Sequence, residues 1–331
     1  MLQHLHLHER LVCSSCKGEL VQSSDTYLQC RRCRATYTIE SRYVSMLDRR
    51  EQDDRPFDWN RKEGEIRDYS EISNSLALSG IGRFATFLNY GYVSSGNEQH
   101  AVVEPVDVWN RNSVKLLLEV VGRTAIRGRD VIDIGCGRGG NIAALHKYFK
   151  PQSTVGLDIC PANIAYCSAK SRPTESFYLV GDAENIPFAD ESFDVVLNIE
   201  SAHAYPNRKR FYEEAYRILR YGGVFLYTEL MLEEEAAQNV RLLEEAGLSV
   251  IRNQDVTSNV LLSCDENAKQ RTGAQGIAND ANASRNIGDI HDFIALPGSK
   301  KYEEMKAGKR QYRMMNLVKR YPCFTNDNNL V

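Results

Sequence analysis

The chain has 331 residues, 42% of them apolar and 26% charged, with a formal net charge of −3. Such a balance suits a globular protein with room for one large α/β domain and a small module, and it excludes a surface that is basic throughout and attracts nucleic acid without regard to sequence. With no secretory leader and no long apolar run, a cytoplasmic protein is expected, and its nine cysteines are read as metal ligands or free thiols before disulfides.

At the start, His4, His6 and His8 alternate with leucines. They read as an amphipathic strand edge or a disordered beginning, with metal binding on one side of a strand as the alternative. Cys13-Ser14-Ser15-Cys16 and Cys30-Arg31-Arg32-Cys33 then form C-x2-C-x13-C-x2-C. Each knuckle can put two thiolates on one ion, and a hairpin-length spacer brings the two knuckles together. The spacing predicts a zinc ribbon over residues 1–50, with Cys13, Cys16, Cys30 and Cys33 as ligands. Four sulfurs leave no open position for water, so the zinc is expected to be structural. A segment of about fifty residues has little core of its own, which gives the metal its purpose.

Residues 51–112 are expected to be a linker followed by a helical cap. The stretch from Arg49 to Arg67 is strongly charged, contains Pro56 and Gly64, and reads as a loosely packed connection. Phe84-Ala85-Thr86-Phe87-Leu88-Asn89-Tyr90-Gly91-Tyr92 is apolar and aromatic, and Trp109 to Ser113 leads into a first core helix through Val121.

From residue 113 to 331 the pattern is that of a doubly wound domain. Val131-Ile132-Asp133-Ile134 is a strand that ends in the turn Gly135-Cys136-Gly137-Arg138-Gly139-Gly140, and Val155-Gly156-Leu157-Asp158 is a second strand ending in an acid. Glycines there let the backbone turn into a helix whose N-terminal N–H groups favour an anionic ligand. The same glycine spacing serves dinucleotide sites, and Asp158 suits ribose hydroxyls in either case. Asp133 separates the two readings, since its charge is unwelcome beside a pyrophosphate and suits the ammonium end of S-adenosylmethionine. A third strand ends in Gly181-Asp182-Ala183, a fourth runs from Phe193 to Asn198, and Gly222-Gly223 precede a fifth.

Taken together these segments resemble the class I S-adenosylmethionine-dependent methyltransferases. The resemblance implies a Rossmann-like, doubly wound sheet of about seven strands under a helical cap, preceded here by the zinc ribbon. It implies that Asp133, Gly135 and Gly137 surround the methionine part of the cofactor, Asp158 the ribose, Asp182 and Ala183 the adenine, and Asn198 the sulfonium side, with Ile159 also at the cofactor. Tyr90 and Tyr92, in a cap segment similar to those of small-molecule members, are expected to shield the sulfonium or, alternatively, to pack within the cap.

Asn198-Ile199-Glu200-Ser201-Ala202-His203-Ala204-Tyr205-Pro206 follows the fourth strand, where doubly wound sheets bind ligands. His203 has a ring suited to take a proton from an acceptor hydroxyl near neutral pH, with a satisfied structural histidine as the alternative. Sugar and polyketide O-methyltransferases have an acid after the fifth strand that orients this histidine. Here that acid is Glu229, where aspartate is more usual. Glu200 reads as a site residue or as a cap for the next helix.

In the tail, Glu233 to Ala246 has helical spacing and Leu248 to Ile251 is strand-like, with Asp255-Val256-Thr257-Ser258-Asn259-Val260 expected to continue that strand. Residues 265 to 290 are polar and expected to form a helix and a loop. Leu296 to Tyr312 reads as a basic amphipathic helix over the acceptor pocket or as a docking surface for a carrier protein. The Asn198–Pro206 segment, Asp255–Val260 and the Gly298-Ser299…Tyr302…Gly308 pattern are similar to the lipid and polyketide O-methyltransferases of the phthiotriol type. The expected activity is therefore O-methylation of a hydroxyl on a polyketide, peptide or lipid metabolite, with a homodimer possible through the ribbon. The zinc ribbon also resembles ribbons of RNA guanine methyltransferases, which makes RNA methylation the alternative, and a non-catalytic S-adenosylmethionine-binding scaffold is the third reading.

Overall fold

The computed structural model of the chain describes residues 8–40, 42–47, 59–78, 85–94, 109–170, 176–274 and 291–322. His4, His6, Arg49, Arg50, Pro56 and Phe84 lie outside these residues.

Seven strands form the central sheet: β5 (Asp130–Ile134), β6 (Ser153–Asp158), β7 (Ser176–Val180), β8 (Phe193–Ile199), β9 (Leu219–Leu232), β10 (Leu248–Asp255) and β11 (Arg310–Lys319). Their order is β7-β6-β5-β8-β9-β11-β10. The first five are parallel, and β11 enters antiparallel between β9 and β10. The order reverses between β5 and β8, which opens a crevice at the carboxyl ends of the strands. Alternation along β8 sends Val195, Leu197 and Ile199 into a cluster with Leu117 of α2 (Arg111–Val121) and Val260 of α7 (Thr257–Ala274). Val196 points the other way, to Phe211 of α5 (Arg208–Ile218) and Leu243 of α6 (Glu233–Glu245). Both faces are thus covered, as parallel strands require. No helix among the described residues is long and apolar enough to cross a membrane.

The ribbon supplies β1 (Leu20–Ser24), β2 (Tyr27–Cys30), β3 (Thr36–Ile39) and β4 (Val44–Ser45), and these strands continue the same sheet to give eleven among the described residues. Val44 and Ser45 pair parallel with Leu179 and Val180 of β7. An otherwise open edge is covered in this way. Leu11, Tyr37 and Met46 join Phe188 and Leu179 in one buried cluster.

Two local expectations are corrected. From Trp59 onward the charged stretch is not a loose connection: α1 (Trp59–Leu78) is helical over 20 residues. Its Lys, Arg and Glu are good helix formers, and buried Lys62 faces acids of the core. Likewise β10 runs on to Asp255 but Thr257–Val260 do not prolong it. The Asp255 carboxylate accepts the Thr257 N–H at 2.9 Å and starts α7, the capping role for which a short acidic side chain is suited.

Candidate active site

A cleft lies over the carboxyl ends of β5, β6, β7 and β8, beneath α1 and residues 86–90. Gly135, Gly137, Asp158, Ile159, Asp182, Ala183, Tyr90, Glu200 and His203 all line it. Sequence positions spread over more than a hundred residues converge because successive parallel strands end at the same edge of the sheet.

Gly135 and Gly137 have φ of +71° and +51°, conformations that side-chain-bearing residues rarely adopt. A Cβ on Gly135 would also lie 2.3 Å from the Ser201 hydroxyl. The turn is braced from β6: Gly137 N–H donates to Asp158 Oδ2 at 2.8 Å, and Cys160 N–H donates to Oδ1 at 2.8 Å. Asp133 is 1% exposed and lies just behind the lining residue Asn141, whose amide donates to Oδ2 at 3.2 Å. Its Oδ1 has no partner among the described residues. Burial, with a contribution from Asp158, pushes its carboxyl up to about 8 against that hydrogen bond. A buried carboxylate oxygen without a donor, next to a glycine turn, is chemically matched to an ammonium group.

His203 sits in the short 3-10 helix Ala202–Ala204 after β8, and its Nδ1–H donates to Glu229 Oε1 at 2.9 Å. Glu229, on β9, is fully buried. Its Oε2 accepts the His203 backbone N–H at 3.0 Å and Oε1 also accepts the Leu230 N–H at 2.9 Å. The longer side chain at this position therefore does reach the histidine. Burial opposes a charged ring, yet the Glu229 charge and hydrogen bond, helped by Glu200, raise the His203 pKa above the ordinary imidazole value.

A model of the methyltransferase domain matches residues 132–227. A phthiotriol/phenolphthiotriol dimycocerosates methyltransferase of Mycobacterium tuberculosis is 32% identical over 263 residues, which cover 76% of this chain and 90% of that protein. The chain is a member of the S-adenosylmethionine-dependent methyltransferase family. A fatty-acid O-methyltransferase of Mycolicibacterium smegmatis is 30% identical over 241 residues, 70% of this chain and 83% of that protein. Among solved structures, geranyl diphosphate C-methyltransferase from Streptomyces coelicolor A3(2), in complex with S-adenosyl-L-homocysteine, shares the fold with a TM-score of 0.56. It is 16% identical and covers 81% of this chain and all of that one.

Two expected lining residues of the methyltransferase stand elsewhere. Asn198 is fully buried behind the cleft, where its amide donates to Ile134 O at 2.9 Å, Ser201 Oγ at 2.6 Å and Tyr205 Oη at 3.1 Å. It braces the loop after β8 instead of facing the cavity. Tyr92 packs into the buried cluster around α2 and α7, and its N–H donates to Asn112 O at 2.9 Å.

Other functional residues were hidden from sequence reasoning. Lys62 of α1 donates to Asp182 Oδ2 at 2.7 Å and Glu184 Oε2 at 2.8 Å, so the acid expected at the adenine is also an anchor for the cap. Arg138, inside the glycine turn, donates to Ser73 O at 3.0 Å and Ala85 O at 2.9 Å and fastens the cap from the other side. Tyr312 of β11 donates to Glu200 Oε1 at 2.6 Å, and the Tyr90 N–H reaches the same oxygen at 2.9 Å. Burial pushes Glu200 up to about 7 despite those bonds. Tyr69, Phe293 and Lys301 add an outer wall next to His203. Lys301 belongs to the helix Lys300–Lys306, so the basic stretch of the tail does reach the pocket. Lys62 lay in an apparent linker and Tyr312 in an apparent tail, so no local pattern marked either.

The four cysteine sulfurs lie within 4.8 Å of one another, with Cys13–Cys33 and Cys16–Cys30 each at 3.5 Å. Zinc–sulfur bonds of about 2.3 Å set tetrahedral sulfurs about 3.8 Å apart, so the quartet has the size of a zinc site. Both knuckles have the same backbone. Cys13 N–H donates to Gly18 O and Cys30 N–H to Ala35 O, and Lys17 and Arg34, each following the second cysteine, have φ of +55° and +64°.

Proposed function

We propose that the protein transfers the methyl group of S-adenosylmethionine to a hydroxyl on a large apolar metabolite of lipid, polyketide or peptide type, free or carried on a protein. The observation that carries this reading is the His203–Glu229 pair at the wall of the cofactor cleft. When bound, S-adenosylmethionine supplies an electrophilic methyl group on a sulfonium.

The chain's own residues do the rest. Asp133 and the turn at Gly135 and Gly137 receive the amino-acid end, Asp158 and Ile159 the ribose, and Asp182 and Ala183 the adenine. Glu229 fixes the His203 proton on Nδ1, so Nε2 is left as the basic ring nitrogen for the cavity. Nε2 takes the acceptor's hydroxyl proton as its oxygen attacks in line, and the imidazolium that forms is stabilised by the buried carboxylate. Tyr90, Tyr69 and Phe293 exclude water and hold the acceptor. Alignment of this kind is worth roughly 7 to 11 kcal/mol in well-oriented systems. The names of the curated relatives, which act on phthiotriols and fatty acids, support an apolar acceptor and an oxygen as the atom methylated. At the ribbon, Cys13, Cys16, Cys30 and Cys33 hold a structural zinc.

The test supplies methyl-labelled S-adenosylmethionine with either a metabolite extract or total RNA of the source organism. Label in an organic-soluble product supports the proposal and identifies the acceptor by mass; label confined to RNA overturns it.

A further inference from the structure

The first cysteine knuckle grips the loop that carries Asp182, and it does so at both ends. Ser14, between Cys13 and Cys16, is 3% exposed and donates its hydroxyl to Met46 O at 2.6 Å. Met46 N–H donates in turn to Val180 O at 2.7 Å, the last residue of β7 before Gly181 and Asp182. At the far end Lys17, the residue after Cys16, donates to Asn185 Oδ1 at 2.9 Å and Ile186 O at 2.8 Å and pairs with Glu214 at 3.2 Å. Asn185 N–H returns to Asp182 O at 3.0 Å, and Val12 N–H meets Pro187 O at 3.0 Å. The two knuckles share one backbone form, so the second serves as an internal comparison: its Arg34 occupies the place of Lys17 and is exposed. A ribbon that only covered the sheet edge would need the β4–β7 pairing and the apolar cluster, and would have no use for a half-buried lysine reaching across to loop carbonyls.

We propose that the first knuckle, with its metal in place, sets cofactor affinity by holding residues 181–186 in the conformation that receives the adenine. Ser14 and Lys17 are positioning residues, and the proposal rests on Asp182 being an adenine contact. The left-handed conformation at Lys17 belongs to the Cys13–Cys16 turn, which the Lys17 N–H closes on Cys13 O at 2.8 Å, and it places the lysine within reach of the loop. Loss of the metal frees the turn, and the loop then has to be ordered by the cofactor itself at the cost of affinity. The ribbon becomes a part of the cofactor site built from behind, and a chain of hydrogen bonds joins thiolate turn, strand end and ligand loop.

The experiment uses zinc-replete full-length protein and the variants Ser14→Ala, Lys17→Met, Arg34→Met and Asp182→Ala. Zinc content, the Kd for S-adenosylmethionine by calorimetry, and KM against kcat are measured for each. Expected for Lys17→Met, and more so for the double variant with Ser14→Ala, is a rise of about tenfold in both Kd and KM for the cofactor. Zinc should stay bound, and kcat at saturating cofactor should remain within about twofold, a split that general loss of folded protein does not produce. Arg34→Met should match wild type. Chelation of zinc from wild type should weaken cofactor binding in the same direction. The proposal is overturned if Asp182→Ala weakens binding while Lys17→Met and the double variant bind as wild type does. If Asp182→Ala leaves Kd unchanged, the adenine assignment fails, and the proposal fails with it for that separate reason.

Discussion

Replacing Glu229 by glutamine tests whether His203 is prepared as the proposed base. The carboxylate is surrounded by donors: His203 Nδ1–H and Leu230 N–H on Oε1, His203 N–H on Oε2. Glutamine offers one acceptor oxygen and one NH2, so no orientation satisfies all three. With its oxygen toward the His203 backbone, the NH2 meets Nδ1, forces the ring proton onto Nε2 and removes the basic nitrogen from the cavity. With its oxygen toward Nδ1, the part-buried His203 N–H loses its acceptor and the imidazolium loses its counter-charge. Turnover at saturating S-adenosylmethionine should fall at least ~100-fold, with ~10⁴-fold as the range reached when a carboxylate that orients a catalytic histidine becomes an amide. Cofactor affinity by calorimetry should stay within about twofold, because Glu229 lies behind His203 and away from the glycine turn. The pH profile supplies a second readout. If His203 is the base, the wild-type rate should rise with pH as it loses its proton, with a midpoint above the ordinary 6.5 because Glu229 raises it. In the variant burial remains and the charge is gone, so any residual activity should have its midpoint shifted to lower pH. A variant that turns over within about threefold of wild type with an unmoved profile would refute the reasoning.

His203→Ala should lower kcat by roughly 100-fold or more with Kd for the cofactor unchanged; equal rates remove the base assignment. Asp133→Asn should weaken S-adenosylmethionine about tenfold or more, by loss of a charge-assisted contact, yet stabilise the ligand-free protein by about 1–3 kcal/mol near neutral pH. The sign follows from a folded-state value near 8 against 3.8 for the free side chain: the folded protein holds the proton more tightly, so this group's contribution to stability falls as pH rises from about 4 to about 8, and the variant's advantage should grow over that window in thermal unfolding. Zinc chelation should expose β1 and β2 to hydrogen exchange before β5 and β8; simultaneous loss across the whole sheet would show that the metal holds far more than the ribbon.

The cleft was legible because strand ends build it. Gly135, Asp158 and Asp182 stand at or just after the ends of β5, β6 and β7, and parallel strands bring such ends to one edge whatever the helices between them do. His203 and Glu229 were legible by the same rule, one after β8 and one toward the end of β9. The second wall was not. Lys62, Arg138 and Tyr312 act through contacts over long sequence separations, and a buried lysine inside a charged helix has no local mark that separates it from a solvated one. Tyr92 and Asn198 show the converse: they stand where a lining residue is expected, but hydrogen bonds to Asn112 and to Ser201 and Tyr205 belong to packing that periodicity does not report. Merging of the ribbon with the sheet was equally hidden, since β4 is only two residues long and leaves no pattern.

The most direct test of the account is the atom that receives the methyl group. Wild-type protein would be given S-adenosylmethionine with a carbon-13 methyl group and an extract rich in long-chain alcohols and phenols, and the product's methyl carbon read by NMR, with His203→Ala alongside. A methoxy carbon that forms with wild type and nearly disappears with the variant is the predicted result. A methyl on nitrogen or carbon, or a methoxy product formed equally well without His203, would contradict hydroxyl methylation by a histidine base.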